Sequence, residues 1–135
     1  MQLVAYLNFP GTAREAMDFY ATALGGTVTQ RFTYGQSPMA EQCGPASADM
    51  VMHSQVEVGS AILMGADGPP PHESGSTTIN IMSDTAEEAE RIFHALAAGG
   101  TISMPLEETF WAHRFGAIKD KFGKGWMVNC LKQMP

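Results

Sequence analysis

Between residues 12 and 24 apolar side chains recur at Ala16, Phe19, Tyr20 and Ala23, and between 85 and 98 at Ala89, Ile92, Phe93 and Leu96. That is the three- and four-residue spacing of a helix with one buried face. Each run opens with a threonine followed three residues on by a glutamate, Thr12 with Glu15 and Thr85 with Glu88. This spacing predicts a capping box, in which hydroxyl and carboxylate satisfy amides that a helix start leaves without partners. Each run closes on Gly-Gly, where helices commonly stop. TAREAMDFYATALGGTV from Thr12 and TAEEAERIFHALAAGGTI from Thr85 agree at Thr, Ala, Glu and Ala in register, and at Gly-Gly-Thr after one inserted residue. The chain is therefore an internal repeat.

Strands are expected around both helices. Residues 2 to 9, 27 to 34, 50 to 58 and 60 to 65 surround the first, the last two joined by the two-residue hairpin turn Gly59-Ser60. Residues 76 to 82, 101 to 104, 108 to 118 and 125 to 131 surround the second. The order is strand, helix, three strands, twice over: an α+β fold of two tandem modules, residues 1–67 and 75–135. GADGPPPHESGS, residues 65–76, reads as an extended, exposed linker between them. YGQSPMAEQCGPASAD, residues 34–49, reads as a long loop of the kind that forms a mobile wall over a site.

Composition narrows the classes of function. With 135 residues, 44% of them apolar, the chain is long enough for one domain with a sizeable core. Eight basic against fourteen acidic residues give a net charge of -6, and no basic cluster is denser than KDKFGK at 119–124, so a nucleic-acid partner is not expected. That stretch reads as a solvated hairpin turning at Gly123 and Gly125. The opening MQLVAYLNFP has no basic leader and too short an apolar run for a signal, and no segment reaches membrane-spanning length. A cytoplasmic protein with no membrane partner is the expectation. Cys43 and Cys130, the only cysteines, give neither a disulfide framework nor zinc spacing, and read as free thiols. No base or cation adjoins Cys43, which leaves it an ordinary loop cysteine and not a nucleophile.

Candidate chemistry lies on two strands. In VMHSQVEVG, Met52, Val56 and Val58 share one face, with Met50 before them, while Val51, His53, Gln55 and Glu57 share the other. If the first face packs under a helix, His53 and Gln55 look away from it. Along 109–117, alternation places Trp111, His113 and Phe115 together and Phe110, Ala112, Arg114 and Gly116 opposite. Apolar walls with a few convergent polar groups make a small-molecule pocket; the plainer reading has Trp111 and Phe115 as core and His113 as a satisfied partner. Glu107 and Glu108, adjacent on a strand, read as one buried edge and one solvated charge, with Glu108 the candidate base. Arg114 suits an anionic ligand or a salt bridge.

The duplicated module resembles the glyoxalase/bleomycin-resistance superfamily, also called vicinal oxygen chelate. REAMDFY, ERIFHALAAGG and MPLEETFWAHRFGAIKDKFGKGWMVNC are similar to its PhnB-like branch, which carries a demethylubiquinone methyltransferase-like label. The resemblance implies a U-shaped mixed sheet around a cavity, helices outside, and a homodimer. It also implies, in metal-dependent members, ligands on the first, fourth, fifth and eighth strands, near Ala5, Met64, Thr78 and Asn129. Ala5 and Met64 are not ligands for a divalent zinc, nickel or iron ion, Thr78 is a poor one and Asn129 a weak neutral donor. No metal cofactor is expected at that position. Module symmetry would set His113 across the cavity from His53. The expected function is then binding of a small organic molecule through His53, Gln55, Trp111, His113, Phe115 and Asn129. The alternatives are a lyase, isomerase or dioxygenase-type enzyme with a displaced divalent metal, built from His53, His113, Glu57 and Glu108, and a dimeric interaction module without ligand.

Overall fold

The computed structural model describes residues 1–38, 40–68 and 77–132, with the side chains of Cys43 and Ala46 left out. The chain divides into two compact units, Met1–Glu73 and Ser74–Pro135. In the first, β1 (Ala5–Phe9), α1 (Ala13–Leu24), β2 (Thr27–Thr33), β3 (Val51–Val58) and β4 (Ala61–Asp67) follow in order, with a short helix α2 (Ala40–Cys43) between β2 and β3. In the second, β5 (Thr78–Met82), α3 (Ala86–Ala97), β6 (Thr101–Glu107), β7 (Ala112–Lys119) and β8 (Gly125–Leu131) repeat the plan. The sheets run β1-β4-β3-β2 and β5-β8-β7-β6. In each, the first and last strands pair in parallel and the other pairs are antiparallel, as a duplicated module requires.

The helical stripes bury as their spacing predicts. Ala13, Ala16, Met17, Tyr20, Ala21 and Ala23 of α1 are buried, as are Ala89, Ile92, Phe93 and Leu96 of α3. Under α1 lie Leu7, Phe9, Val56 and Leu63, and Gly65 has no room for a side chain because Met17 Sδ would stand 2.9 Å from its Cβ. Gly116 plays the same part under α3, where a Cβ would come within 2.7 Å of the Phe93 ring.

The Gly-Gly pairs do more than stop helices. The first glycine of each takes the left-handed conformation, Gly25 at φ 73° and Gly99 at φ 75°. The second lies against the backbone of a neighbouring strand: a Cβ on Gly26 would sit 2.5 Å from the Glu57 carbonyl oxygen, and one on Gly100 2.3 Å from that of Lys119. Helix stop and strand contact together explain why both glycines recur.

The two helix starts differ, and the first corrects the sequence expectation. Thr85 Oγ1 accepts from Glu88 N at 3.1 Å, while the Glu88 carboxylate accepts from the amide of Asp84, one residue earlier than a capping box requires. Thr12 makes no side-chain cap at all. Its place is taken by Asp67, at the end of β4 and only 3% exposed, whose Oδ1 accepts from Gly11 N (2.9 Å) and Ala13 N (3.0 Å) and whose Oδ2 accepts from Val51 N (2.9 Å). A carboxylate offers two oxygens where a hydroxyl offers one, so Asp67 also ties β3 to the start of α1.

Asp67 moves the start of the expected linker as well. Residues 65–67 belong to β4, and residues 69–76 lie outside the described part. The 34–49 segment holds α2 and two 3₁₀ turns, Tyr34–Gln36 and Pro45–Ser47, and is closed at its base by Tyr34 N to Met50 O (3.0 Å) and Gly35 N to Ala48 O (2.9 Å). Tyr34 Oη then donates to the Asp67 carbonyl at 3.1 Å.

The KDKFGK turn is not simply solvated. Asp120 is 3% exposed, and Lys124 is buried with it. Asp120 Oδ1 accepts from Phe122 N (2.8 Å) and Lys124 N (3.0 Å), and Oδ2 from the Trp126 indole Nε1 (2.7 Å). Burial lowers the Lys124 pKa from the ordinary lysine value, and the Asp120 charge opposes that shift.

Ser54 Oγ, on a fully buried residue of β3, has no hydrogen-bond partner among the described residues. An orphaned buried hydroxyl costs about 1–3 kcal/mol. Ser54→Ala is therefore expected to stabilise the protein by about 1 kcal/mol, read as a higher urea midpoint at unchanged slope; a lower midpoint would show that the hydroxyl is satisfied.

Candidate functional site

Each sheet has a face turned away from its helix, and the strand alternation decides what stands there. In β1, Leu7 and Phe9 point to α1, which puts Tyr6 and Asn8 on the other face. In β3, Ser54 and Val56 point to α1, so His53 and Gln55 face away, as the sequence analysis expected. Register then lines up Tyr6, Met64, Gln55 and Gln30 as one row across all four strands. His53 and Phe32 are cross-strand partners in the next row.

Three of these side chains form a cluster. Tyr6 Oη lies 3.1 Å from His53 Nδ1, and their rings are 5.9 Å apart at 32°. Phe32 stands on the other side of the imidazole, 5.7 Å away at 42°. Tyr6 is 49% and Phe32 39% exposed, so the aromatic surface is accessible. Burial raises the Tyr6 pKa above the usual tyrosine value, and the nearby Tyr34 adds to the rise, so the phenol keeps its proton at neutral pH. Gln55 is buried alongside and reaches Thr29 Oγ1 at 3.5 Å. Glu57 lies four residues along the strand from His53, about 13 Å at strand rise, outside the cluster.

The second sheet presents a different set. Met82, Asn129, Phe115 and Glu107 form a row across β5, β8, β7 and β6. Asn129 is buried and its Nδ2 donates to Asn80 Oδ1 at 2.5 Å. Trp111 packs edge-on to Phe115 at 5.4 Å, and Phe110 edge-on to Trp111 at 4.9 Å. Phe110, 83% exposed, extends this aromatic run into solvent, whereas the sequence pattern set it opposite Trp111.

The β7–β8 register slips between Ala112 and Arg114, so that His113 sits at a bulge. It is exposed, and no hydrogen bond or ring contact holds its imidazole among the described residues. Glu107 and Glu108 are both exposed, so neither is the buried edge expected. Glu108 is held by Lys132 at 2.9 Å; the hydrogen bond to that ammonium, then its charge, lowers the carboxyl pKa, which disfavours it as a base near neutral pH. Arg114 turns to α3, its Nε donating to Glu90 Oε1 at 3.0 Å, which is the salt bridge of the two roles its guanidinium suited. Cys130 is a buried free thiol, and the side chain of Cys43 lies outside the described residues.

The superfamily's metal does not fit the donors found here. Ala5 shares its strand face with Leu7 and Phe9, toward α1, so Tyr6 is the β1 residue facing away beside Met64. Asn129 already has its amide bound to Asn80. Among the described residues no group of three or more His, Cys, Asp or Glu side chains is close enough to hold a metal ion. What the cluster on the first sheet offers instead is stacking surface and hydrogen bonds, and among the described residues its His53 is not hydrogen-bonded to a carboxylate.

Two four-stranded sheets, each built as strand, helix and three strands, define a protein of the vicinal-oxygen-chelate fold. The fosfomycin resistance protein FosX of Listeria monocytogenes shares it, with a TM-score of 0.67 at 9% identity over 98% of this chain and 93% of that one. The chain belongs to the PhnB-like family described as 3-demethylubiquinone-9 3-methyltransferase, whose model matches residues 1–129. It is 40% identical to protein PA1353 of Pseudomonas aeruginosa, with a TM-score of 0.89, covering 98% of this chain and 99% of that one. A putative 3-demethylubiquinone-9 3-methyltransferase, PhnB protein, of Bacillus cereus is 25% identical with a TM-score of 0.79, covering 96% and 99%.

Proposed function

We propose that the protein binds a small, planar organic molecule on the helix-free face of the first sheet, as a cytoplasmic homodimer, without the superfamily's metal. The Tyr6, His53 and Phe32 cluster carries this reading: two accessible aromatic rings flank an imidazole, apolar surface with one convergent polar group. The second sheet, taken by itself, offers a ligand surface of its own in Trp111, Phe115 and Asn129. The family description names demethylubiquinone, a conjugated ring with oxygen substituents, and such a ring suits this surface. No helix among the described residues is long and apolar enough to cross a membrane.

The enzyme reading, with a metal displaced onto His53, His113 and a glutamate, is disfavoured because Glu108 is held by Lys132 and His113 sits at the bulge. The test is a fluorescence titration with 1-anilinonaphthalene-8-sulfonate. Saturable binding is expected, weakened about three- to tenfold by Phe32→Ala or His53→Ala, the worth of one aromatic contact. Equal affinity in both variants would remove the site from this face. Sedimentation of the same sample should give a species of twice the 14.5 kDa chain mass, and a monomer alone at micromolar concentration would end the dimer reading.

A further inference from the structure

We infer that Tyr6 is a specificity-determining residue that acts through His53. By donating its phenolic proton to Nδ1 it fixes the imidazole as the Nε2–H tautomer, so that the face selects planar conjugated molecules carrying a carbonyl or phenolate oxygen. The inference rests on the binding reading above and assigns the class of ligand.

The geometry supplies each step. The 3.1 Å contact is to Nδ1, and which nitrogen of a neutral histidine carries the proton is set by the bond the other one makes. A phenol is a better donor than acceptor, because its oxygen lone pair is delocalised into the ring. Tyr6, held protonated by its partly buried setting, is the donor of this pair. Nδ1 is then an acceptor, and the ring's proton goes to Nε2, on the side of the imidazole away from Tyr6. Nε2 has no hydrogen-bond partner among the described residues and is not sealed from solvent. What the cluster presents is one N–H donor on an imidazole that has the Tyr6 and Phe32 rings as neighbours. Stacking selects a flat ring, and the single donor selects an acceptor oxygen on it. A ligand with only donor groups would place hydrogen against hydrogen.

Two measurements on the whole chain test this. Long-range nitrogen–proton NMR at alkaline pH, where imidazoles are neutral, should show His53 as the Nε2–H tautomer, and Tyr6→Phe should shift it to a mixture. Tyr6 is about half exposed, so the variant keeps the fold, and a purely structural role would leave the tautomer unmoved. Titration with 1-acetonaphthone and with 1-ethylnaphthalene, alike in shape but differing in the carbonyl, should favour the ketone about fivefold in the wild type. That is the factor of one net hydrogen bond. Tyr6→Phe should erode this preference, read as the ratio of the two affinities. A Nδ1–H tautomer in the wild type, or no change in Tyr6→Phe, overturns the role of Tyr6. The expected tautomer with equal binding of the two probes overturns the assigned ligand class. The expected tautomer with no binding of either probe overturns the binding reading itself.

Discussion

Replacing Asp67 with alanine is expected to cost about 3–5 kcal/mol, a large part of the 5–15 kcal/mol that holds a typical domain folded. Three backbone N–H groups lose their acceptor at once, those of Gly11, Ala13 and Val51. An orphaned buried donor costs about 1–3 kcal/mol, and loss of a helix cap about 1 kcal/mol. Gly11 is exposed and recovers part of this from water, which sets the figure below the plain sum. Asp67→Asn should fall between wild type and alanine: the amide oxygen can still serve the helix start, but its NH₂ then opposes the Val51 N–H. Urea denaturation gives both values, and a loss under 1 kcal/mol for alanine would mean that the three donors find other partners.

Asp67 also shows where the sequence stopped being legible. The repeat, both helices, the strand order and the faces of β1 and β3 follow from periods of 3.6 and 2, which any short window displays. Thr85 caps its helix as its local pattern says, because both partners lie within one turn. Thr12 carries the same pattern and does not cap, because an acceptor 55 residues away in sequence is better placed, and no window contains both. Asp67 itself sits in GADGPPP, where composition favours a linker. Tyr6 escaped for a related reason: its role arises from β1 pairing with β4, and β4 with β3, which brings it near His53. The alternation of AYLNF would have placed it on the right face had the row been followed across the sheet. The slip in register at His113 is a feature that strict alternation cannot foresee.

The second unit depends in the same way on Asp120. Asp120→Ala is expected to cost about 3–5 kcal/mol, since it strips an acceptor from Phe122 N, Lys124 N and the Trp126 indole N–H. Trp126 is fully buried, so its N–H finds no water in compensation. This variant also has a pH signature, carried by Lys124. Burial already lowers the Lys124 pKa and the Asp120 charge partly restores it, so removing that charge sends the pKa lower still. A lysine whose folded pKa lies below its unfolded one binds fewer protons when folded. Between those two values stability therefore rises with pH, and below both the full penalty remains. Asp120→Ala should accordingly regain more stability than wild type as pH is raised through the alkaline range toward the ordinary lysine pKa. Asp120→Asn, which keeps an acceptor for the turn but not the charge, should keep more of the stability at neutral pH while showing the same steeper alkaline rise. Urea denaturation across that range reads both effects. Parallel curves for all three proteins would show that Lys124 does not depend on Asp120 for its charge.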